Sequence, residues 1–215
     1  MQRDRNFLNL VAFSAAMLGA LSAFVAGCVS TPGTTAQPKP GTGIAEYRKL
    51  TRDAHQAITA TLKPLQALAR PADRTPHPDL ATFDRALEKL EITSFRTRSR
   101  AEAIIARGQA YFDEWKAQFV GARVETERYA RLLEHFRRIQ ERSGEVRTEF
   151  RPFMAKLREF RAGFDRSSIP TNQEQSRTAI DALVASGQRV LESLNVVSKS
   201  LDDAEMELRA TLAQK

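Results

Sequence analysis

Cysteine is almost missing from this chain. Cys28 is the single cysteine in 215 residues, so no internal disulfide can form and the fold must be held by packing. Histidine is nearly as scarce. His55, His77 and His135 fall on separate segments, and none has a second His, Cys or carboxylate at metal-ligand spacing. No Glu-x-x-His pair of the kind that builds di-iron sites in helical bundles occurs. A Ser-His-Asp order with nucleophile-elbow glycines and a glycine-rich phosphate loop are missing too. Asp113 and Glu114 are adjacent acids, but neighbours on a helix diverge by about 100° and do not converge on one substrate. The sequence therefore predicts no catalytic and no metal-binding residues, and a protein that is not an enzyme. No segment alternates apolar and polar residues with period two over a useful length, which argues against a sheet.

What is present begins with the N-terminus. Arg3 and Arg5 precede an apolar run from Phe7 to Val25, which exits through small residues into Val25-Ala26-Gly27-Cys28. A charged start, an apolar middle and a small-residue exit are the three parts of a secretory signal. A spanning helix needs about 20 apolar residues, and this run is interrupted by Asn9, Ser14, Gly19 and Ser22. The exit resembles a lipobox, the processing site of bacterial lipoproteins. That resemblance implies cleavage between Gly27 and Cys28 and acylation of Cys28, the covalent lipid being the only attached group expected. Several acyl chains hold a protein on a membrane where one short chain, at about 0.8 kcal/mol per buried CH2, does so only marginally. Val29 stands where an Asp would resemble an inner-membrane retention signal, which favours the periplasmic face of the outer membrane.

The net charge is +7, and losing Arg3, Asp4 and Arg5 with the leader lowers it by one. A basic balance raises nucleic acid as a partner, but a periplasmic address argues against it. Anionic headgroups, lipopolysaccharide, peptidoglycan or an acidic protein are the partners which that compartment offers; a solvated, salt-bridged helical surface is the alternative.

Residues 28–43 comprise the lipidated cysteine and a linker rich in Pro, Gly, Thr and Ser, without apolar periodicity. As a coil this linker would span roughly 20 to 25 Å, and about 50 Å when stretched. From residue 44 to 215 the pattern is helical. Tyr47, Leu50, Ala54, Ile58, Leu62, Leu65 and Leu68 recur at steps of three or four and predict a helix over 44–70. After the proline-rich break at 71–78, a second helix starts near Pro78, its stripe weakening around Thr93–Arg100. The third stripe, from Tyr129 through Phe136, Ser143 and Phe150 to Phe164, keeps an unbroken 3.5-residue period, the mark of a coiled-coil seam. Pro152 falls within it and should kink the helix without ending it. A fourth stripe runs from Ile180 to Leu212. The expected fold is all-α: an elongated antiparallel bundle, or coiled coil, of three to four long helices. An arginine-rich third helix (Arg128, Arg131, Arg137, Arg138, Arg142, Arg147) and an acidic fourth one (Asp181, Glu192, Asp202, Asp203, Glu205, Glu207) suggest that these two pack together, although exposed pairs contribute only tenths of a kcal/mol.

The stretch Tyr111-Phe-Asp-Glu-Trp115, the arginine-rich third helix, the internal Pro152 and the final helix over 173–213 together resemble a family of bacterial coiled-coil lipoproteins classed as a domain of unknown function. The resemblance implies the same helical rod on a lipid anchor and brings no activity with it. Three local features carry binding hypotheses. Arg96, Arg98 and Arg100, with Lys89 and Arg107 nearby, form the densest basic patch, readable as an anionic contact or as a solvated face. Tyr111, Phe112 and Trp115 are core aromatics or a docking patch. Gly108, Ser143 and Gly187 lie on seams, where small residues allow close helix approach or leave a groove for a partner helix. The functional expectation is a non-enzymatic envelope scaffold or protein-interaction module. It would be held at the membrane by its lipid and would act through a protein partner or self-association. The alternative is a basic bundle binding an anionic envelope component.

Overall fold

The structure, a computed structural model, describes residues 40–70, 77–118, 123–166 and 173–213. The signal segment, Gly27, Cys28 and most of the linker lie outside the described residues. Four helices make up the rest: α1 (Pro40–Ala67), α2 (Leu80–Gln118), α3 (Arg123–Arg166) and α4 (Gln173–Ala213). At about 1.5 Å per residue they are roughly 40 to 65 Å long.

α1 begins at Pro40, four residues before the expected start. Proline suits a first helical turn because its missing N–H would be unpaired there anyway. The two glycines that give Pro40–Gly43 its linker-like composition lie against other helices. A Cβ on Gly41 would sit 3.7 Å from Leu208 Cδ2, and one on Gly43 would sit 3.8 Å from Ile104 Cγ2. Near its other end α1 contains Pro64, which removes the donor for the Ala60 carbonyl. The helix then closes through the tight i→i+3 bonds Leu68 N to Leu65 O, Ala69 N to Gln66 O and Arg70 N to Ala67 O. His77 secures the corner that follows. Its Nδ1 accepts from the Asp79 N–H at 3.2 Å, and its Nε2 lies 3.1 Å from the Arg70 carbonyl; a proton on Nε2 satisfies both. α2 starts at Leu80, two residues after Pro78. Pro152 lies inside α3 on an exposed position, and the helix continues through it to Arg166.

Backbone contacts join α1 to α2, α2 to α3, α3 to α4 and α4 to α1, and among the described residues none crosses either diagonal. Every neighbouring pair is antiparallel. Glu46 pairs with Arg107 and Thr61 bonds Ala86 across α1–α2; Asp84 pairs with Arg161 and Glu102 with Arg147 across α2–α3. Glu149 accepts from Ser193, and Glu207 pairs with Arg131, across α3–α4. Arg48 pairs with Asp202 and Glu205 across α4–α1. The result is an up-down-up-down bundle. Its even number of helices brings the start of α1 and the end of α4 to one end, together with the α2–α3 connection.

The interior is organised in two apolar clusters. The larger, at the end away from Pro40, joins Ile58, Leu62 and Leu65 of α1, Phe83 and Leu90 of α2, Phe153 and Leu157 of α3, and Ile180 and Val190 of α4. The smaller, nearer Pro40, joins Tyr47, Leu50, Ile104, Ile139, Val197 and Leu201. Val146 packs against both. The predicted α4 stripe is buried at each described position from Ile180 to Leu208. On α2 Ile104 is buried and Ile105 half-buried.

A polar contact lies inside the smaller cluster. The Tyr47 hydroxyl crosses the bundle from α1 and donates to Ser143 Oγ of α3 at 2.8 Å; Ser143 donates onward to the Ile139 carbonyl at 2.6 Å. Burial pushes the Tyr47 phenol above its ordinary pKa, against the opposing effects of Ser143 and Arg147. Tyr47→Phe removes one donor while Ser143 keeps its own bond to Ile139. The expected loss is about 1 kcal/mol in urea unfolding, with Tyr47→Phe/Ser143→Ala little worse than the single change because the two residues share one interaction. A double variant showing the sum of two full losses would mean that the hydroxyls act independently.

α3 and α4 do pack, but their charges are distributed more widely. Arg131 reaches Glu207, whereas Arg138 and Arg142 pair within α3 with Glu134 and Glu145, and Arg147 reaches Glu102 of α2. Arg48 of α1 takes Asp202 and Glu205 of α4. The hydrogen bond from Arg48, with a second from Arg209, holds the Glu205 carboxyl below its usual pKa.

Candidate functional site: the outward face of α2

α2 changes character along its length. Phe83, Leu87 and Leu90 enter the larger cluster, Ile104 enters the smaller one and Phe112 is buried further on; between 91 and 100 no residue is buried. Hydroxyl side chains occupy the inward positions of that stretch and turn back onto their own helix. Ser94 donates to the Glu91 carbonyl at 2.8 Å, and Thr97 donates to the Thr93 carbonyl at 2.8 Å. Such bonds satisfy the hydroxyl locally and contribute little to packing against α3.

The same stretch carries two large apolar side chains on the outside. Ile92 is 52 % exposed and Phe95 is 74 % exposed. Arg96, Arg98 and Arg100 are exposed beside them, as are Arg85 and Lys89 one to two turns earlier. Their surroundings differ. Arg98 pairs with Glu102 at 3.0 Å, and Arg107 with Glu46 at 2.7 Å. Arg85 donates to its own helix at the Ala81 carbonyl. Among the described residues Arg85, Lys89, Arg96 and Arg100 have no acidic partner within ion-pair distance, in contrast to Arg131, Arg138, Arg142 and Arg147 of α3. The basic triplet expected from the sequence thus separates into one neutralised member, Arg98, and two uncompensated ones, Arg96 and Arg100. Ile92 and Phe95 were legible in principle. The 3.5-residue period counted from Leu90 passes through 93–94 and 97, which leaves both off the stripe.

Of the aromatic candidates Phe112 is buried, while Tyr111 and Trp115 are half-buried. Phe112 is buried at the centre of five rings, with Phe136 at 5.2 Å, Tyr111 at 5.6 Å, Tyr129 at 5.8 Å and Trp115 at 6.3 Å between centroids. Trp115 also meets Tyr129 edge-on at 5.6 Å and Tyr111 at 5.8 Å. Offset and edge-to-face pairs of this kind add about 0.5 to 1.5 kcal/mol each beyond burial. The cluster fills the α2–α3 seam near the connection of those helices. Gly108 admits one of its rings, since a Cβ there would lie 2.5 Å from Phe136 Cε2. Gly187 does the same for α1, where a Cβ would lie 2.7 Å from Leu62 Cδ2. Both glycines serve close packing inside this chain. Burial raises the Tyr111 phenol above its ordinary pKa.

The histidines lie apart: His55 on α1, His77 at the corner and His135 on α3, where its Nδ1 has no hydrogen-bond partner among the described residues. Asp113 accepts from Gln109 at 3.0 Å. Among the described residues no three His, Cys, Asp or Glu side chains come together, and no helix is long and apolar enough to cross a membrane. The chain matches no protein-family model, no curated protein and no solved structure.

Proposed function

We propose that this chain is a non-enzymatic bacterial lipoprotein, cut before Cys28, acylated there and held at the periplasmic face of the outer membrane, where its bundle acts as a scaffold or protein-interaction module. This belongs with the resemblance to coiled-coil lipoproteins carried by Tyr111–Trp115, the arginine-rich α3 and Pro152. The observation that supports it best is the closure of four long helices on one another. Inward side chains from Ile58 to Leu208 are buried along the bundle, which yields a stiff body whose length lies along its axis. Such a body carries surfaces at fixed separation. α4 contributes exposed Val196 and Met206 on its outer side.

Feeding cells a clickable palmitate should label the wild-type chain and leave Cys28→Ser unlabelled; an unlabelled wild type would remove the anchor. A photo-crosslinking residue at Met206 in intact cells should attach one recurrent protein, identified by mass spectrometry, or a second copy of the chain. If no protein adduct forms there or at Val196, the scaffold reading fails.

One observation favours a second reading. The uncompensated Arg96 and Arg100 on α2 suit a bundle that binds an anionic envelope component through this face.

A further inference from the structure

We infer that the outward face of α2 docks on an anionic phospholipid bilayer, with Phe95 and Ile92 entering the headgroup–acyl boundary and Arg96 and Arg100 lying against lipid phosphates. This rests on the second reading above and names the anionic component.

Two independent properties of one surface point the same way. Arg85, Lys89, Ile92, Arg96 and Arg100 follow one another at steps of three and four, so they share a helix face. The four cations on that face have no acidic partner within ion-pair distance among the described residues. Glu88 stands at its flank, while the nearby Glu91 and Glu102 are engaged by Arg158 and Arg98. Phe95, beside them, is the most exposed large apolar side chain among the described residues. Cations alone would suit any polyanion. A phenylalanine and an isoleucine set among them suit a polyanion with an apolar layer beneath its charge, the composition of helices that lie in a membrane interface. Each Lys or Arg near an anionic leaflet strengthens association several-fold, and burial of a phenylalanine adds roughly tenfold or more.

The reach is adequate. α2 runs antiparallel to α1, Thr61 lying opposite Ala86 and Glu46 opposite Arg107. Phe95 is therefore level with the middle of α1, roughly 20 Å along the axis from Pro40. The stretch from Cys28 to Pro40 can extend to about 40 Å, so a chain anchored at Cys28 can lay this face on the bilayer that holds it.

The test uses the full chain purified from membranes and reconstituted into two kinds of vesicle, phosphatidylcholine alone or equimolar phosphatidylcholine and phosphatidylglycerol. An environment-sensitive fluorescent amino acid replaces Ser99, which lies on the same face one turn after Phe95; a second preparation carries it at Val196 on the diagonally opposite helix. The anchor holds the protein to both vesicles, so only docking of the face distinguishes them. The Ser99 probe should shift to the blue and be quenched by spin-labelled acyl chains in the phosphatidylglycerol vesicles alone, and high salt should reverse this. Arg96→Glu/Arg100→Glu should lower the docked fraction relative to the undocked one roughly a hundredfold. Phe95→Ser should lower it about tenfold. All of these positions are exposed, and thermal melts that match the wild type will show that the fold is retained. Equal emission in the two vesicles, or an equal response at Val196, overturns the proposal, as does binding transferred to added peptidoglycan or to an acidic protein. The intact mass of the same preparation reads the anchor separately: a chain beginning at an acylated Cys28 with a silent Ser99 probe means that docking alone has failed.

Discussion

Phe153→Ala is expected to lower the stability of the bundle by about 3 to 5 kcal/mol, the usual range for removing a buried phenylalanine. Phe153 is fully buried in the larger cluster, about two thirds of the way along α3. Its ring touches Phe150 at a centroid distance of 6.2 Å and faces the backbone of Gly187 on α4. Helices supported at both ends collapse poorly around a void, so the cavity term should add to the lost transfer energy. A helical domain of this size is generally stable by about 5 to 15 kcal/mol, so a single truncation would remove a large share. Urea unfolding followed by circular dichroism should show an earlier midpoint with little change in slope. Phe153→Leu, which keeps most of the volume, should lose about a third as much. A loss below about 1 kcal/mol for the alanine variant would place Phe153 outside the cooperative core.

The second large effect runs in the opposite steric direction. Gly187→Leu should destabilise by roughly 3 kcal/mol or more, because overpacking a filled site forces helices apart. Even the first added carbon would lie 2.7 Å from Leu62 Cδ2 and 3.1 Å from Phe153 Cε2. Both of those neighbours are buried, so neither can swing out to solvent. Gly187→Ala sets the same clash against a helix-propensity gain of about 1 kcal/mol, and a net loss of about 1 kcal/mol is expected. Gly144, on α3, supplies the contrast: nothing lies within 4 Å of its ideal Cβ. Gly144→Ala should therefore stabilise by about 0.5 to 1 kcal/mol. Thermal melts of the three variants decide the matter. If Gly187→Ala stabilised as much as Gly144→Ala, α1 and α4 could not approach as closely as described.

These two residues also illustrate what the sequence made legible. Phe153 and Gly187 lie on the stripes of α3 and α4, where a 3.5-residue period is sustained for many turns, and such a period leaves no choice of which face turns inward. The same logic missed the first turn of α1. Pro40–Gly43 has the composition of a linker, and only its packing against Leu208 and Ile104 makes it a helical turn. Pro64 sits inside α1 because a helix near its end loses little by forgoing one bond. The charge contrast between α3 and α4 indicated neighbours correctly but not partners, since ion pairs depend on the rotation of each helix about its axis. At the candidate site, the basic residues were visible in the sequence. The isolation of Arg96 and Arg100, and the pairing of Arg98, depend on which acids the neighbouring turns bring near. Of the aromatic residues at 111–115, Phe112 is drawn into the core by Tyr129 and Phe136, contributed by another helix.

The arrangement of the chain ends has a mechanical consequence. The start of α1 and the end of α4 lie at one end of the bundle, so a pull between them would act across the axis. It would peel α1 from α4 like a zipper, straining the packing of Gly41 against Leu208 first, then the contacts of Arg48 with Asp202 and Glu205, and breaking each later contact in turn. A load attached instead at the opposite end, where α1 meets α2 and α3 meets α4, would pull along the helices. Many contacts would then have to slide at once. The same molecule would yield to small forces in the first geometry and resist them in the second, which makes the end distant from Pro40 the one suited to bearing tension.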